Sequence, residues 1–345
     1  MRWNRIVCLL TAAMLFVHGC GNPSAGGQSG AQQSSGTAGQ PGTASGQTGD
    51  AAGTADGPGG TSAGSDAAGT AQDENFVPYQ APPFAGASYN EASAEGNGAA
   101  FIDLSGTSAG YVAAYATSDV RLKFQVLKGD DEKYDYDLNS GEPSVFPIQM
   151  GDGSYTFRVL ESVEEGKYAI LYTTDAEVAL QDEFQPFLHP SDYVNYQEDS
   201  ACVKKAAELA AGAEDVPGVV AAVYDYICSN VTYDKEKAAT VKSGYLPDPD
   251  ETLATGKGIC FDYAALAAAM LRSQGIPVKM IFGYVSPDDL YHAWNMFYTE
   301  ETGWVTVDYQ VSGDSWNRLD LTFAANGKDS EFIGDGGNYA DLFCY

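Results

Sequence analysis

Cys260, His292 and Asp308 are the three residues whose types and local settings could together run nucleophilic chemistry. Cys260 follows Gly258 and Ile259 and opens an apolar run from Phe261 to Leu271, which stops at Gly275, Ile276 and Pro277. Such a run, closed by Gly and then Pro, reads as a helix buried on most sides. A thiol at its start meets unpaired backbone N–H groups and the positive end of the helix dipole, both of which favour the thiolate. The same N–H groups could hold an oxyanion. A lone cysteine in an apolar helix more often packs like alanine; what sets this one apart lies downstream.

A cysteine nucleophile needs a base within hydrogen-bond reach and a group that orients the base. His292 begins the strand-like run His292-Ala293-Trp294-Asn295-Met296-Phe297-Tyr298, and Trp304 to Gln310 follows after a turn ending at Gly303. Folded as a hairpin, these runs put residues 292, 294, 308 and 310 on one face, with His292 opposite or diagonal to Asp308. The carboxylate would fix the imidazole tautomer and stabilise the imidazolium. Trp294, on the same face, would shield the site or simply pack. Asp262, in the first helical turn, suits the dipole but modestly opposes thiolate formation, so it reads as structural. The backbone N–H of Cys260 would be one oxyanion donor, and Tyr245, in the long turn from Ser243 to Asp250, is the candidate for a second. His189, followed by Pro190, reads as structural or exposed.

These stretches resemble the transglutaminase-like branch of the papain-type thiol enzymes from about Phe184 to Asp320. The resemblance is carried by Gly258-Ile259-Cys260-Phe261-Asp262-Tyr263-Ala264, Gly275-Ile276-Pro277, Gly283-Tyr284, His292-Ala293-Trp294 and Gly303-Trp304-Val305-Thr306-Val307-Asp308. It implies an α+β catalytic domain with Cys260 as nucleophile, His292 as general base and acid, and Asp308 as its orienter. It also implies attack on an amide or ester carbonyl, a thioester acyl-enzyme, and transfer to an amine or water, with no cofactor and no metal. Animal transglutaminases carry Gln before and Trp after the cysteine, whereas Ile259 and Phe261 stand here, so glutamine specificity does not carry over. Proteases, amidases and non-catalytic proteins share the fold, and a non-catalytic surface binding or scaffold module is the alternative.

The remaining chain says where such a site would work. Arg2 and Arg5, the apolar run Ile6 to Val17 and then Val17-His18-Gly19-Cys20 resemble a bacterial lipoprotein signal over residues 1–20, with Cys20 as the lipid-bearing residue. An ordinary secretory signal is the other reading. Residues 21–98 form a tether and lead-in, of which Gly21 to Asn75 holds no aromatic or large aliphatic residue and is expected to be disordered. Short alternating runs over 99–180 predict a small antiparallel β-sandwich, and 181–345 the transglutaminase-like domain. The expected location is extracytoplasmic and membrane-anchored, and the expected partner a peptide or protein, such as cell-wall peptide.

A formal net charge of −29 argues against nucleic acid as a partner. Cys202 and Cys228 sit on apolar helical stripes and read as packing residues, though an exported location permits a disulfide between them. The acidic stretch from Asp130 to Glu142 begins like a calcium loop at Asp135, Asp137 and Asn139. Its glycine falls late, at Gly141, so a solvated hairpin tip is expected.

Overall fold

Alternation of apolar and polar residues builds the first half of the fold, because successive strand residues face opposite sides of a sheet. The computed structural model describes residues 76–129, 132–286, 289–300, 303–306, 309–311, 315–325 and 338–345, with the backbone alone for 303–306, 309–311 and 315–316. Cys20 and the lipoprotein-like segment lie outside the described residues.

One antiparallel sheet has the order β1 (Glu95–Gly96), β2 (Ala100–Asp103), β3 (Tyr111–Ala116), β6 (Ser144–Pro147). A second has the order β5 (Glu132–Leu138), β4 (Leu122–Lys128), β7 (Gly153–Glu164), β8 (Lys167–Val178). Ile102, Val112 and Phe146 from the first share a core with Phe124, Phe157 and Val159 from the second, and the Phe124 and Phe146 rings stack at 4.5 Å. The expected sandwich is thus present. The acidic stretch read as a hairpin tip is instead mostly strand β5. Its Tyr134, Tyr136 and Leu138 alternate with Lys133, Asp135 and Asp137, so the charges take one face while Tyr136 and Leu138 are buried on the other.

Helices then take over. Val216–Asn230 is capped by Asp215, which accepts the Gly218 N–H at 2.8 Å. Ala201–Ala210 is capped from a distance: Asp250 accepts the N–H groups of Ala201 and Cys202 at 2.9 and 2.8 Å. Cys202 and Cys228 are free thiols. The expected long turn from Ser243 to Asp250 lies between two short helices, Lys235–Thr240 before it and Pro249–Thr255 beginning at its end.

The nucleophile helix, Cys260–Arg272, is buried from Asp262 onward. Its last residue, Arg272, is buried and, among the described residues, donates to backbone oxygens: Val278 at 2.7 and 3.0 Å, His189 at 2.9 Å and Tyr345 at 3.0 Å. Gly275 ends the turn beyond it in the left-handed region (φ 76°), where a Cβ would lie 2.1 Å from Pro82 Cγ. The lead-in is therefore seated against this turn, and Tyr79 reinforces it by donating to the Gln274 carbonyl at 2.9 Å.

Against this helix lies a four-stranded antiparallel sheet. Its order is Ser315–Leu319, Leu290–Thr299, Val278–Val285, Tyr339–Cys344. The strand bearing His292 was expected to pair with 304–310, and here the structure differs. Gly303–Thr306 folds back on Tyr309–Val311 as a separate ribbon, and Ser315–Leu319 takes the edge instead, with Asn295 opposite Leu319. The run that reads as one strand thus contributes two short paired segments, 303–306 and 309–311.

The expected boundary near residue 180 marks a change of secondary structure, yet one hydrophobic cluster runs through both halves, and residues 77–345 form one compact unit. Tyr134 and Tyr136 of the sandwich meet the Tyr345 ring at 5.5 and 5.7 Å. Tyr193 then continues the chain of rings to Phe261, beside the cysteine, at 5.6 Å.

Candidate active site

The nucleophile end is built on a local contact that demands glycine. Lys257–Gly258 pairs in parallel with Thr232–Tyr233, and a Cβ on Gly258 would lie 2.6 Å from Asp262 Cβ. Ile259, extended at ψ 176°, gives its N–H to Asp262 Oδ2 at 2.8 Å. Asp262 thereby supplies the reach-back half of a capping box from position N3. It is fully buried and does more than cap: Lys237 Nζ lies 2.8 Å from Oδ2, and the Tyr245 hydroxyl donates a short hydrogen bond to Oδ1. Lys237 also stands 4.5 Å over the Tyr245 ring.

This arrangement changes the expected role of Tyr245. Its single proton is committed to Asp262, and burial followed by that carboxylate holds the phenol well above its ordinary pKa. A neutral hydroxyl bound to a charged acceptor is not free to serve an oxyanion. The donors left for one are the first backbone N–H groups of the helix, including that of Cys260, which have no intrahelical acceptor.

At the other end, His292 is buried and near enough to the half-buried Cys260 thiol for the two to interact electrostatically. Its Nε2 lies 2.9 Å from Asp320 Oδ2. Burial disfavours the imidazolium, but the charge and hydrogen bond of Asp320, joined by Cys260, outweigh it and raise the pKa well above the ordinary histidine value. With Nε2–H donating to Asp320, Nδ1 is the nitrogen left for the thiol. Asp320 also accepts the Tyr339 hydroxyl at 2.9 Å and the Phe323 N–H at 3.1 Å.

The structure thus brings Cys260 and His292 near each other and puts Asp320 at the imidazole Nε2. Asp308 lies outside the described residues. Sequence reading missed Asp320 and Tyr339 because the sheet order, not any local pattern, delivers them. The one available signal was Asp320 standing just before the short helix Leu321–Ala325, a position that suits a cap.

Trp294 is buried on the His292 side, with its ring 6.2 Å from the imidazole. It packs edge-on to Tyr339 at 4.9 Å and beneath the Arg318 guanidinium, so it forms a floor behind the histidine. His189, buried, takes the Gly86 carbonyl at 3.0 Å on Nδ1 and stands apart from the site.

The mouth of the site is aromatic: Phe261 and Phe282 lie 4.9 Å apart, and Tyr291 follows at 6.1 Å from Phe282. Tyr291 is within electrostatic reach of Cys260, and it and Tyr284 are 41% and 42% exposed. Among the described residues no group of three or more His, Cys, Asp or Glu is placed to hold a metal ion.

Residues 203–309 match the transglutaminase-like superfamily model, within a chain whose fold is α+β. The match takes in Cys260, His292 and Asp308 and stops short of Asp320. A protein-glutamine gamma-glutamyltransferase of Pseudomonas aeruginosa is 35% identical over 96 residues, which is 24% of this chain and 14% of that protein. An uncharacterized protein of Mycobacterium leprae is 29% identical over 158 residues, 43% of this chain and 53% of that one. The chain thus spans about half or less of the length of these relatives.

Among solved structures, a proposed cysteine protease from Cytophaga hutchinsonii is similar at 17% identity and TM-score 0.33, over 68% of this chain and 84% of that one. Red sea bream transglutaminase is similar at 13% identity and TM-score 0.26, over 66% and 48%.

Proposed function

We propose that this protein is an extracytoplasmic thiol enzyme, anchored through Cys20, that forms an acyl-enzyme on Cys260 from an amide in a peptide or protein such as cell-wall peptide. The observation that carries the reading is His292 standing between the Cys260 thiol and the Asp320 carboxylate. The thiol gives its proton to His292, and the thiolate attacks the carbonyl carbon. The resulting oxyanion is held by N–H groups at the helix start. Imidazolium then protonates the leaving nitrogen as the C–N bond breaks, leaving a thioester. Water or an amine, deprotonated by the same imidazole, attacks that thioester and releases the thiolate. A binding module would have no need of this alignment, and the strongly acidic chain gives no support to nucleic acid as a partner.

The test is to trap the acyl-enzyme with cell-wall extract and locate the adduct by mass spectrometry. The adduct is expected on Cys260 and absent in Cys260→Ala. Amine incorporation and peptidase activity that survive unchanged in Cys260→Ala would overturn the proposal. Lipid on Cys20, read in the same spectra, tests the anchor.

A further inference from the structure

We propose that Lys237 is a positioning residue for the nucleophile: with Tyr245 it neutralises and fixes the Asp262 carboxylate, so that the Cys260 helix presents a positive end to the thiol. The inference rests on the reading of Cys260 as the nucleophile and assigns a task to a residue that lies outside the triad.

The geometry that points to it is unusual for a surface-type charge pair. Asp262 is fully buried two residues from Cys260, on the helix whose dipole would favour the thiolate. Left alone, its charge would oppose a second negative charge on the neighbouring sulfur. Every contact made by this carboxylate counters that. Lys237 brings its ammonium nitrogen to Oδ2 from the short helix Lys235–Thr240, Tyr245 donates to Oδ1, and Ile259 donates its N–H to Oδ2. The lysine is itself held over the Tyr245 ring, so a flexible side chain is directed at one acceptor. Removing one partner of a buried pair strands the other charge, and here the stranded charge would sit beside the thiol.

Other groups act on the same sulfur or on the lock. His292 faces the thiol from its strand with Asp320 behind it, and Tyr291 faces it from the same strand. Glu251 and Asp248 act on Tyr245 from the helix that precedes the glycine turn. None of these is altered by the substitutions at Lys237 and Asp262, which isolates the contribution of the pair.

The measurement is the pH profile of Cys260 alkylation by iodoacetamide in the full chain, read on the Cys260 peptide by mass spectrometry. Lys237→Met is expected to move the midpoint of the profile to higher pH by about one unit. Asp262→Asn, which leaves the lysine charge beside the thiol, is expected to move it to lower pH. The double variant is expected to return towards wild type, and Lys237→Arg to stay near it. A merely structural role would slow or speed alkylation in all variants without opposed shifts of midpoint, and that result overturns the proposal, as does an unmoved midpoint. His292→Gln separates this from the enzyme reading. If it leaves the wild-type profile unchanged, the nucleophile assignment fails, whereas a profile that responds to His292 but not to Lys237 removes only the positioning role.

Discussion

Two buried carboxylates flank the site, and their surroundings are built from the same three parts. Asp262 takes a backbone N–H from Ile259, a tyrosine hydroxyl from Tyr245 and a nitrogen from Lys237. Asp320 takes a backbone N–H from Phe323, a tyrosine hydroxyl from Tyr339 and a nitrogen from His292. The difference is the cation. Asp262 faces a lysine nitrogen that is itself held over the Tyr245 ring. Histidine can release and regain its proton, so Asp320 sits in a field that changes during a reaction cycle. One end of the site is a standing charge pair and the other is a working one.

The largest expected effect breaks that symmetry in activity. Asp320→Asn should slow acyl-enzyme formation by roughly a thousandfold, in line with losing the orienting carboxylate of a triad. Asp308→Asn, made alongside, assigns the role by sequence: if it carries the loss and Asp320→Asn does not, the carboxylate found on His292 is not the orienter.

A second, smaller difference is expected in stability against pH. The folded-state pKa of His292 is raised, so its contribution is fully present below the ordinary histidine value and is lost as pH rises through the elevated one. The urea midpoints of wild type and His292→Gln should therefore converge on the alkaline side, with a slope of at most about 1.4 kcal/mol per pH unit for one proton. A gap that widens with pH would contradict this.

The smallest effect restores the symmetry. Tyr245→Phe and Tyr339→Phe each delete one hydroxyl donor to a buried carboxylate, and each should destabilise by about 1–3 kcal/mol in urea unfolding. A markedly unequal pair of losses would show that the two settings are alike in geometry alone.

What could be read from the sequence follows the same division. The Cys260 helix was legible because its glycine turn, apolar run and Gly-Ile-Pro stop are contiguous. Asp320 was not, since it is brought to His292 by a strand order in which 315–319, rather than 304–310, flanks the histidine strand. Lys237 escaped notice because Lys-Glu-Lys-Ala-Ala-Thr has no apolar period to announce a helix. Strand β5 escaped because its charged alternate residues masked the apolar face behind them. For Asp320 the missing information was long-range pairing, and for Lys237 and β5 it was a local apolar pattern too weak to read.

The nucleophile helix is gripped at both ends, by the Asp262 contacts at its start and by Arg272 spanning three separate segments at its finish. Such a rod leaves little slack for accommodating differently shaped acyl groups by moving the cysteine. Diversification of substrate preference, by natural drift or by engineering, would then fall to the half-exposed rings of Tyr284 and Tyr291, which can be exchanged without loosening either anchor.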